Sequence, residues 1–353
     1  MMTALTLAQQ GFPSIILESS SSQPSQDARH FALSPGSSQF LQGLGVPLGP
    51  YCPIHSIGVE ASGKRVVFKA TDIDSPFLGS MVWAADLRVA LYQMVQRASG
   101  IEYYHDASLD HMDITADFVR VTTTRQSFQT SWVLGCDGRQ SRVRDKAEFP
   151  VYRYDYKQQG EIFTIYHPQP HHFRAQEHFF SSGPLAILPL LDQHCSTVVW
   201  SHSLGSLSNS DWTAALSARM PSLYQGFSVT SAVQRYPLHL IWARKIARHR
   251  CLLLGDSAHS LHPVAGQGLN VGIRDIATLG HIIHSFSQQG DPWENSRLHQ
   301  QYSRKRRREH RNFVAMTHGL IQWFALCPPS MLTKMGLMGS RLIKTSMMRY
   351  AMQ

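Results

Sequence analysis

Between Cys251 and Ile283 the chain reads CLLLGDSAHSLHPVAGQGLNVGIRDIATLGHII, and its reactive side chains come at a short regular interval: Asp256, His259 and His262. An acid and two imidazoles spaced three apart are metal-ligand types and could share one face of a continuous helix. Pro263, Gly266 and Gly268 interrupt any such helix, so no metal is expected. The segment reads instead as a short buried strand, 252–254, that delivers Asp256 at its carboxyl end, where open α/β sheets bind ligands. A glycine loop follows, then a helix with Leu269, Ile273, Ile276 and Leu279 on its apolar side. Small residues let backbone approach a flat ligand, and a helix start offers unpaired N–H groups and a positive dipole end to an anion. Taken alone, Gly266 and Gly268 are read equally well as a tight turn.

A second segment, GCDGRQSRVR (135–144), has the form of a buried strand, an Asp137–Gly138 turn and a helix start. Around these two segments, DLRVALYQMVQRA (86–98) has helical periodicity, and 119–138 alternates like paired strands before a buried one. From 160 to 200 four strand-like runs follow one another, predicting one antiparallel sheet. Strand-to-helix units at both ends with a block of strands between predict an α/β nucleotide-binding part carrying a mainly β substrate part. The expected divisions are 1–50, 83–150 and 240–300 for the first, 51–82 and 151–239 for the second, and a basic helical segment over 301–353.

At 353 residues with 43% hydrophobic content the chain can bury a large core. Its five cysteines form no CxxC pair, which argues against a zinc site or a secreted disulfide framework and suits a reducing cytosol. Residues 1–17 lack the basic start of a signal peptide, and no apolar run is long enough to span a bilayer. The net charge of +9 is concentrated at one end: residues 301–353 hold ten Lys/Arg against one acid, Glu309. SRKRRREHR (303–311) could meet nucleic acid or anionic lipid. A solvated helix face, with Arg304, Arg308 and Arg311 at helical spacing, is the preferred reading, and no interleaved aromatic platform supports nucleic acid. Met331, Met335, Met338 and Leu342, with Lys334, Arg341 and Lys344 close by, read as a core-docked helix or a membrane-surface one.

The 251–283 segment resembles the third flavin-binding motif of the class A FAD-dependent aromatic hydroxylases. Gly255, Asp256, Ala258, His259, Pro263, Gly266, Gln267, Gly268, Asn270, Gly272 and Asp275 fall in register. The 135–144 segment is similar to that family's Asp-Gly motif at Asp137, Gly138, Ser141, Arg142 and Arg144, linked to FAD and the pyridine nucleotide. DARHFALSPGSSQFLQGLGV (27–46) and AQEHFFSSGPLAILPLLD (175–192) resemble the ubiquinone-biosynthesis branch, the UbiH/UbiF/COQ6-like hydroxylases, whose helix around 302–312 is normally Arg-rich. The resemblance implies FAD as cofactor, NAD(P)H as co-substrate, and transfer of an oxygen atom from O2 to an aromatic, prenylated phenol. It assigns Asp256 to the ribityl chain, Pro263, Gly266, Gln267, Gly268, Leu269 and Asn270 to the isoalloxazine side, Glu18 to the ribose, and Arg29, Asp137 and Gly138 to other parts of FAD. It implies no metal and no nucleic-acid partner. The implied location is the cytoplasm, peripheral to the inner membrane or within a quinone-biosynthesis complex. No catalytic base is chosen; His259, His262 and Tyr236 are candidates by position, against a hydrogen-bonded core role for each.

The family's first flavin motif, a strand and a GxGxxG turn ahead of the helix, is expected to be missing. Counting back from Glu18 matches Gly11, Leu7 and Ala4, which puts the third glycine immediately before Met1. Two expectations of different class follow: an aromatic hydroxylase complete in its native form, or a flavin-poor, inactive or scaffolding member; within enzymes, the runner-up is a flavin monooxygenase acting on another aromatic or lipid.

Overall fold

The computed structural model describes residues 1–20, 27–61, 63–205, 212–288 and 297–326. The Met-rich stretch 331–348 and most of the polar connection 19–26 lie outside them. Among the described residues are seven α-helices: α1 (Met2–Ala8), α2 (Pro35–Gly43), α3 (Ala84–Arg97), α4 (Arg142–Lys146), α5 (Trp212–Ser217), α6 (Gly268–Gln288) and α7 (Arg297–Leu326). The helix expected over 86–98 is α3, and the one after Gly268 is α6.

Strands occupy the places that alternation predicts. Val119–Thr123 and Ser127–Thr130 pair antiparallel, and Val133–Gly135 runs parallel to Cys251–Leu253, so both candidate motifs leave the same sheet from neighbouring strands. The central block forms a nine-stranded sheet in which Val151–Tyr166, Cys195–Ser203, Gly183–Pro189 and Arg174–Phe180 are antiparallel neighbours. Ser56–Ala61 extends this sheet, parallel to Arg174–Phe180. A three-stranded sheet of His30–Leu33, Gly79–Trp83 and Tyr51–Ile54 stands beside it.

Parallel strands at the amino-terminal side fall into two sheets. Ser14–Leu17 pairs with Ile101–Tyr104, and the Val133–Gly135 pair belongs to a different sheet. Between Ser14–Leu17 and Val133–Gly135 no ladder forms among the described residues, and Ile15 is left exposed.

α6 is the hub of the core. Ile276, Leu279, Ile282, Ile283 and Phe286 pack with Leu252, Leu253 and Val143, while Ile273 joins Leu33, Leu41 and Leu91. Each such side chain contributes roughly 1.5–3 kcal/mol when fully buried. The large sheet buries both faces. Phe163, Ile165, Leu185, Ile187, Val198 and Trp200 meet Leu216 of α5 on one, and Tyr156, Leu238 and Leu240 meet Val264 and α7 residues Val314 and Ile321 on the other. Tyr302 of α7 donates to the Leu253 carbonyl at 3.0 Å, fixing that helix behind the strand that carries Asp256.

Candidate cofactor and active site

The strand Cys251–Leu253 ends in a single turn, Gly255–Ser257, that turns Asp256 outward. Gly255 has φ +60, in the left-handed region that favours glycine, and a Cβ on Gly272 would lie 3.3 Å from the Gly255 Cα. Two glycines thus let the turn lie directly against the first turns of α6. Ser257 Oγ accepts from the Leu254 N–H at 3.1 Å and is also hydrogen-bonded to the Gly135 carbonyl, which ties the turn to the strand preceding Asp137.

The Asp137 carboxylate accepts from the Val143 N–H at 3.0 Å, and Ser141 Oγ accepts from the Arg144 N–H at 3.0 Å, so both cap the start of α4. Arg144 is 1% exposed and donates to the carbonyls of Ser257 at 3.1 Å and Arg139 at 2.9 Å. A single buried guanidinium therefore braces the two motifs against each other. Gly138, φ +78, has open space where a Cβ would stand, as does Gly268.

Asn270 is fully buried and spends its side chain on protein. Its Oδ1 accepts from the Ser34 N–H and its Nδ2 donates to the Ala32 carbonyl, both at 2.9 Å. This clamps the start of α6 to the end of His30–Leu33. Leu269 packs toward the cluster containing Leu33 and Leu41. Pro263 precedes the turn Val264–Gly266, in which Gly266 has φ +58, and Gln267 ends that turn.

Asp256 is exposed, yet burial among surrounding protein pushes its carboxyl pKa up, while His259, Arg139 and Arg29 pull the other way. Cys136, next to Asp137, is likewise exposed with its thiol pushed up by burial. Side chains open to solvent but crowded by protein stand in a cleft. The Asp256 carboxylate has no hydrogen-bond partner among the described residues, so its acceptors are unspent. At the Cys136 end, Thr3 Oγ1 lies 3.5 Å from its sulfur, and the Met1 amino group, its pKa lowered by burial, feels both Cys136 and Glu18. Glu18 follows the strand Ser14–Leu17, half-buried, accepting from the Ser20 N–H at 3.0 Å. Two neighbourhoods thus form beside the paired motifs: Glu18 and Cys136 around the Met1 amino group, and Arg29 and Arg139 around Asp256. Arg29 is gripped by Asp27 through Nε at 2.8 Å and a second nitrogen at 2.6 Å, which raises its pKa.

This set fits FAD: a carboxylate with free acceptors for ribityl hydroxyls, backbone without side chains at Gly138 and Gly268, the N–H groups of a helix start, and an acid at a strand end for a ribose.

Asp256, His259 and His262 diverge instead of converging. His262 Nδ1 accepts from the Val264 N–H at 3.3 Å, which places its proton on Nε2, 3.1 Å from Gln158 Oε1; burial lowers its pKa to about 4. Its lone pair is already used, so it is not a base toward substrate. His259 is buried and directed at Asp275, 3.0 Å away. Tyr236 alone of the three candidates lies on the cleft side, half-buried beside Gly160 and close enough to Arg29 and Arg139 to feel their charge; burial raises it to about 12.

Ser257 was not among the residues that spacing marked. Nor were Arg306 and His310 of α7, which reach Asp275 at 2.6 Å each. Arg304, Arg308 and Arg311 are exposed, as a solvated face requires, whereas Arg306 is 2% exposed. No helix of the described residues is long and apolar enough to cross a membrane.

Residues 1–317 match the protein family described as FAD binding domain. The chain is 30% identical over 317 residues to the ubiquinone hydroxylase UbiL of Rhodospirillum rubrum, covering 85% of this chain and 73% of that protein. It is 27% identical over 376 aligned positions to 3-demethoxyubiquinol 3-hydroxylase of Escherichia coli, covering 99% and 94%. The solved structure of p-nitrophenol 4-monooxygenase PnpA from Pseudomonas putida superposes with a TM-score of 0.78 at 18% identity, over 99% of this chain and 92% of that one.

Proposed function

The chain belongs to the FAD binding domain family, and from that premise we propose that it is a FAD-dependent monooxygenase hydroxylating the ring of a prenylated phenol in ubiquinone biosynthesis, with NAD(P)H and O2 as co-substrates. The observation that carries this reading is Asp256, exposed and unpartnered among the described residues, at the middle of the Gly255–Ser257 turn that lies against the first turns of α6. The names of its relatives, a ubiquinone hydroxylase and a 3-demethoxyubiquinol 3-hydroxylase, support the substrate class.

When bound, FAD supplies the oxygen-transfer chemistry that side chains lack. The chain's own residues bind and orient it. Asp256 would accept from the ribityl hydroxyls and Glu18 from the ribose, and the α6 start from Gly268 to Asn270 would offer N–H groups and a positive dipole end to negative charge on the flavin. Asn270, by clamping Ala32 and Ser34, sets where that helix start lies. Val264 of the loop 263–267 packs in one apolar cluster with Tyr236 of the large sheet, which would help keep water from a flavin held at that loop. Residues 1–50, 83–150 and 240–300 act as the cofactor-binding part, and 51–82 with 151–239 as the substrate part.

The exposed cations of α7, Arg304, Lys305, Arg307, Arg308 and Arg311, give the molecule one strongly basic face, suited to holding it at an anionic membrane where a prenylated substrate resides. A second reading, a flavin-poor or scaffolding member, draws on the division of the parallel strands between two sheets. One experiment separates the two: FAD stoichiometry of the purified protein, followed by NAD(P)H-dependent oxygen uptake across a panel of prenylphenols with mass analysis of the products. Bound flavin and a product heavier by one oxygen support the enzyme. Absence of both after FAD supplementation refutes it.

A further inference from the structure

Asp275 is completely buried and its two oxygens hold four donors. Oδ1 takes Arg306 Nε and His310 Nε2, each at 2.6 Å; Oδ2 takes His259 Nε2 at 3.0 Å and the Gly255 N–H at 2.9 Å. A carboxylate has about four lone-pair sites, so this one is saturated. All four donors come from outside its own helix: Gly255 and His259 from the cofactor-side turn and the short strand after it, Arg306 and His310 from α7. Arg306 also bonds Glu309 and reaches the Val271 carbonyl at 3.3 Å, and Glu309 in turn pairs with Arg274 at 2.7 Å.

The trio His259, Asp275 and His310 has its ligand atoms within 4.8 Å of one another and could be taken for a metal centre. Two observations oppose that. The Arg306 guanidinium lies on the same carboxylate oxygen that a cation would share with His310. In addition, neither imidazole's Nδ1 has a partner among the described residues, whereas a metal-bound imidazole normally donates its far N–H to an acceptor. With Nε2–H donated to Asp275, both rings act instead as hydrogen-bond donors, 4.2 Å apart edge to face.

We infer that Arg306 and His310 are positioning residues for the cofactor turn, acting through Asp275 on the backbone of Gly255 and so on the direction of the Asp256 carboxylate. Gly255 sits in a left-handed conformation with no side chain to hold it, and the hydrogen bond to Asp275 fixes its amide. The two donors on Oδ1 stop the Asp275 carboxylate from rotating, which keeps Oδ2 facing Gly255. Removing one of them frees that rotation, and the turn loses its aim while the strand behind it stays in place. This assignment rests on the reading of the cleft as a FAD site, and the test separates the two.

His310→Phe keeps the ring and removes the donor; His310→Gln keeps a donor at nearly the same reach. Three quantities are measured on the full chain: FAD dissociation constant by titration of apoprotein, hydrogen–deuterium exchange of a peptide spanning 254–258 against one spanning 251–253, and the melting temperature of apoprotein. The expected result for His310→Phe is FAD binding weaker by roughly 10- to 100-fold, the range for a lost hydrogen bond to a charged group. Exchange should quicken at 254–258 with 251–253 unchanged, and His310→Gln should restore both to within a few-fold. Faster exchange spread equally over both peptides and tracking a fallen melting temperature would mean that His310 serves only stability, overturning the inference. Local exchange at 254–258 with unchanged FAD affinity overturns it as well. If the unmodified chain binds no FAD, the cofactor reading fails, and with it any link to Asp256; the local exchange difference then still decides whether His310 controls the turn.

Discussion

Replacing Asn270 with alanine removes two hydrogen bonds. The Ser34 N–H, in a residue 4% exposed, loses its acceptor at 2.9 Å and is left buried and unpaired; the Ala32 carbonyl, half-buried, loses its donor at 2.9 Å. An orphaned buried group costs about 1–3 kcal/mol, and the half-buried carbonyl recovers part of its loss from water, so the sum is roughly 2–4 kcal/mol. For a chain longer than 250 residues each kcal/mol lowers the melting temperature by about 2 °C, giving a fall of roughly 4–8 °C. The clamp also sets the start of α6, so FAD retention should fall together with stability. Asn270→Asp keeps the acceptor for Ser34 but sets a carboxylate against the Ala32 carbonyl, and should do no better than alanine. The assays are calorimetry of apoprotein and FAD titration. A melting temperature within 1 °C of the parent refutes the two hydrogen bonds, and a fall in stability with undiminished FAD affinity refutes their connection to the cofactor cleft.

Asp256→Ala is expected to abolish flavin retention at limiting FAD with little change in apoprotein stability, since the carboxylate is exposed; equal FAD content in both proteins would sink its assignment. Glu161 is 1% exposed, and although burial alone would raise it, the His202 imidazole 3.5 Å away and hydrogen bonds from Arg235 and Trp212 bring its pKa down from 4.5 to about 2. Its contribution is therefore full above pH 4.5 and lost as pH falls toward 2, worth about 3 kcal/mol, and urea titrations between pH 5 and 3 should show a steeper loss in the parent than in Glu161→Gln. Parallel slopes would contradict it. Gly183 has φ +134, and a Cβ there would stand 2.2 Å from the Ser201 carbonyl oxygen, so Gly183→Ala should unfold the protein or leave it insoluble, and a soluble variant with the parent's melting temperature would show the turn to be placed differently.

Periodicity made the main elements legible. The alternation over 119–138, the apolar run before Asp256 and the helical spacing after Gly268 each correspond to an observed strand or helix, because local pattern and burial agree there. Asp275 and α7 show where local pattern stops. In SRKRRREHR every cation looks alike, but Tyr302, Arg306, His310, Phe313 and Thr317 recur at helical spacing and are all buried. A stripe of that period running through a basic run is a readable signal that one arginine faces inward, though its partner, 31 residues upstream, is fixed only by tertiary packing. The same limit applies to Asn270: motif spacing marks the position, while the contact with Ser34, 236 residues away, depends on two sheets meeting at α6. That Ser14–Leu17 and Val133–Gly135 belong to different sheets was not readable, since strand order is a property of the whole chain.

The buried Arg144, with Ser257 beside it, makes the Asp-Gly turn and the Gly-Asp turn interdependent parts. In chimeras between relatives, exchanging one segment without the other leaves the guanidinium facing a Ser257 carbonyl set at the wrong distance. A donor block running from Gly135 to Arg144 should therefore be transplanted only with its own counterpart from Leu254 to Ser257, and libraries that shuffle the two independently will be dominated by unstable pairings.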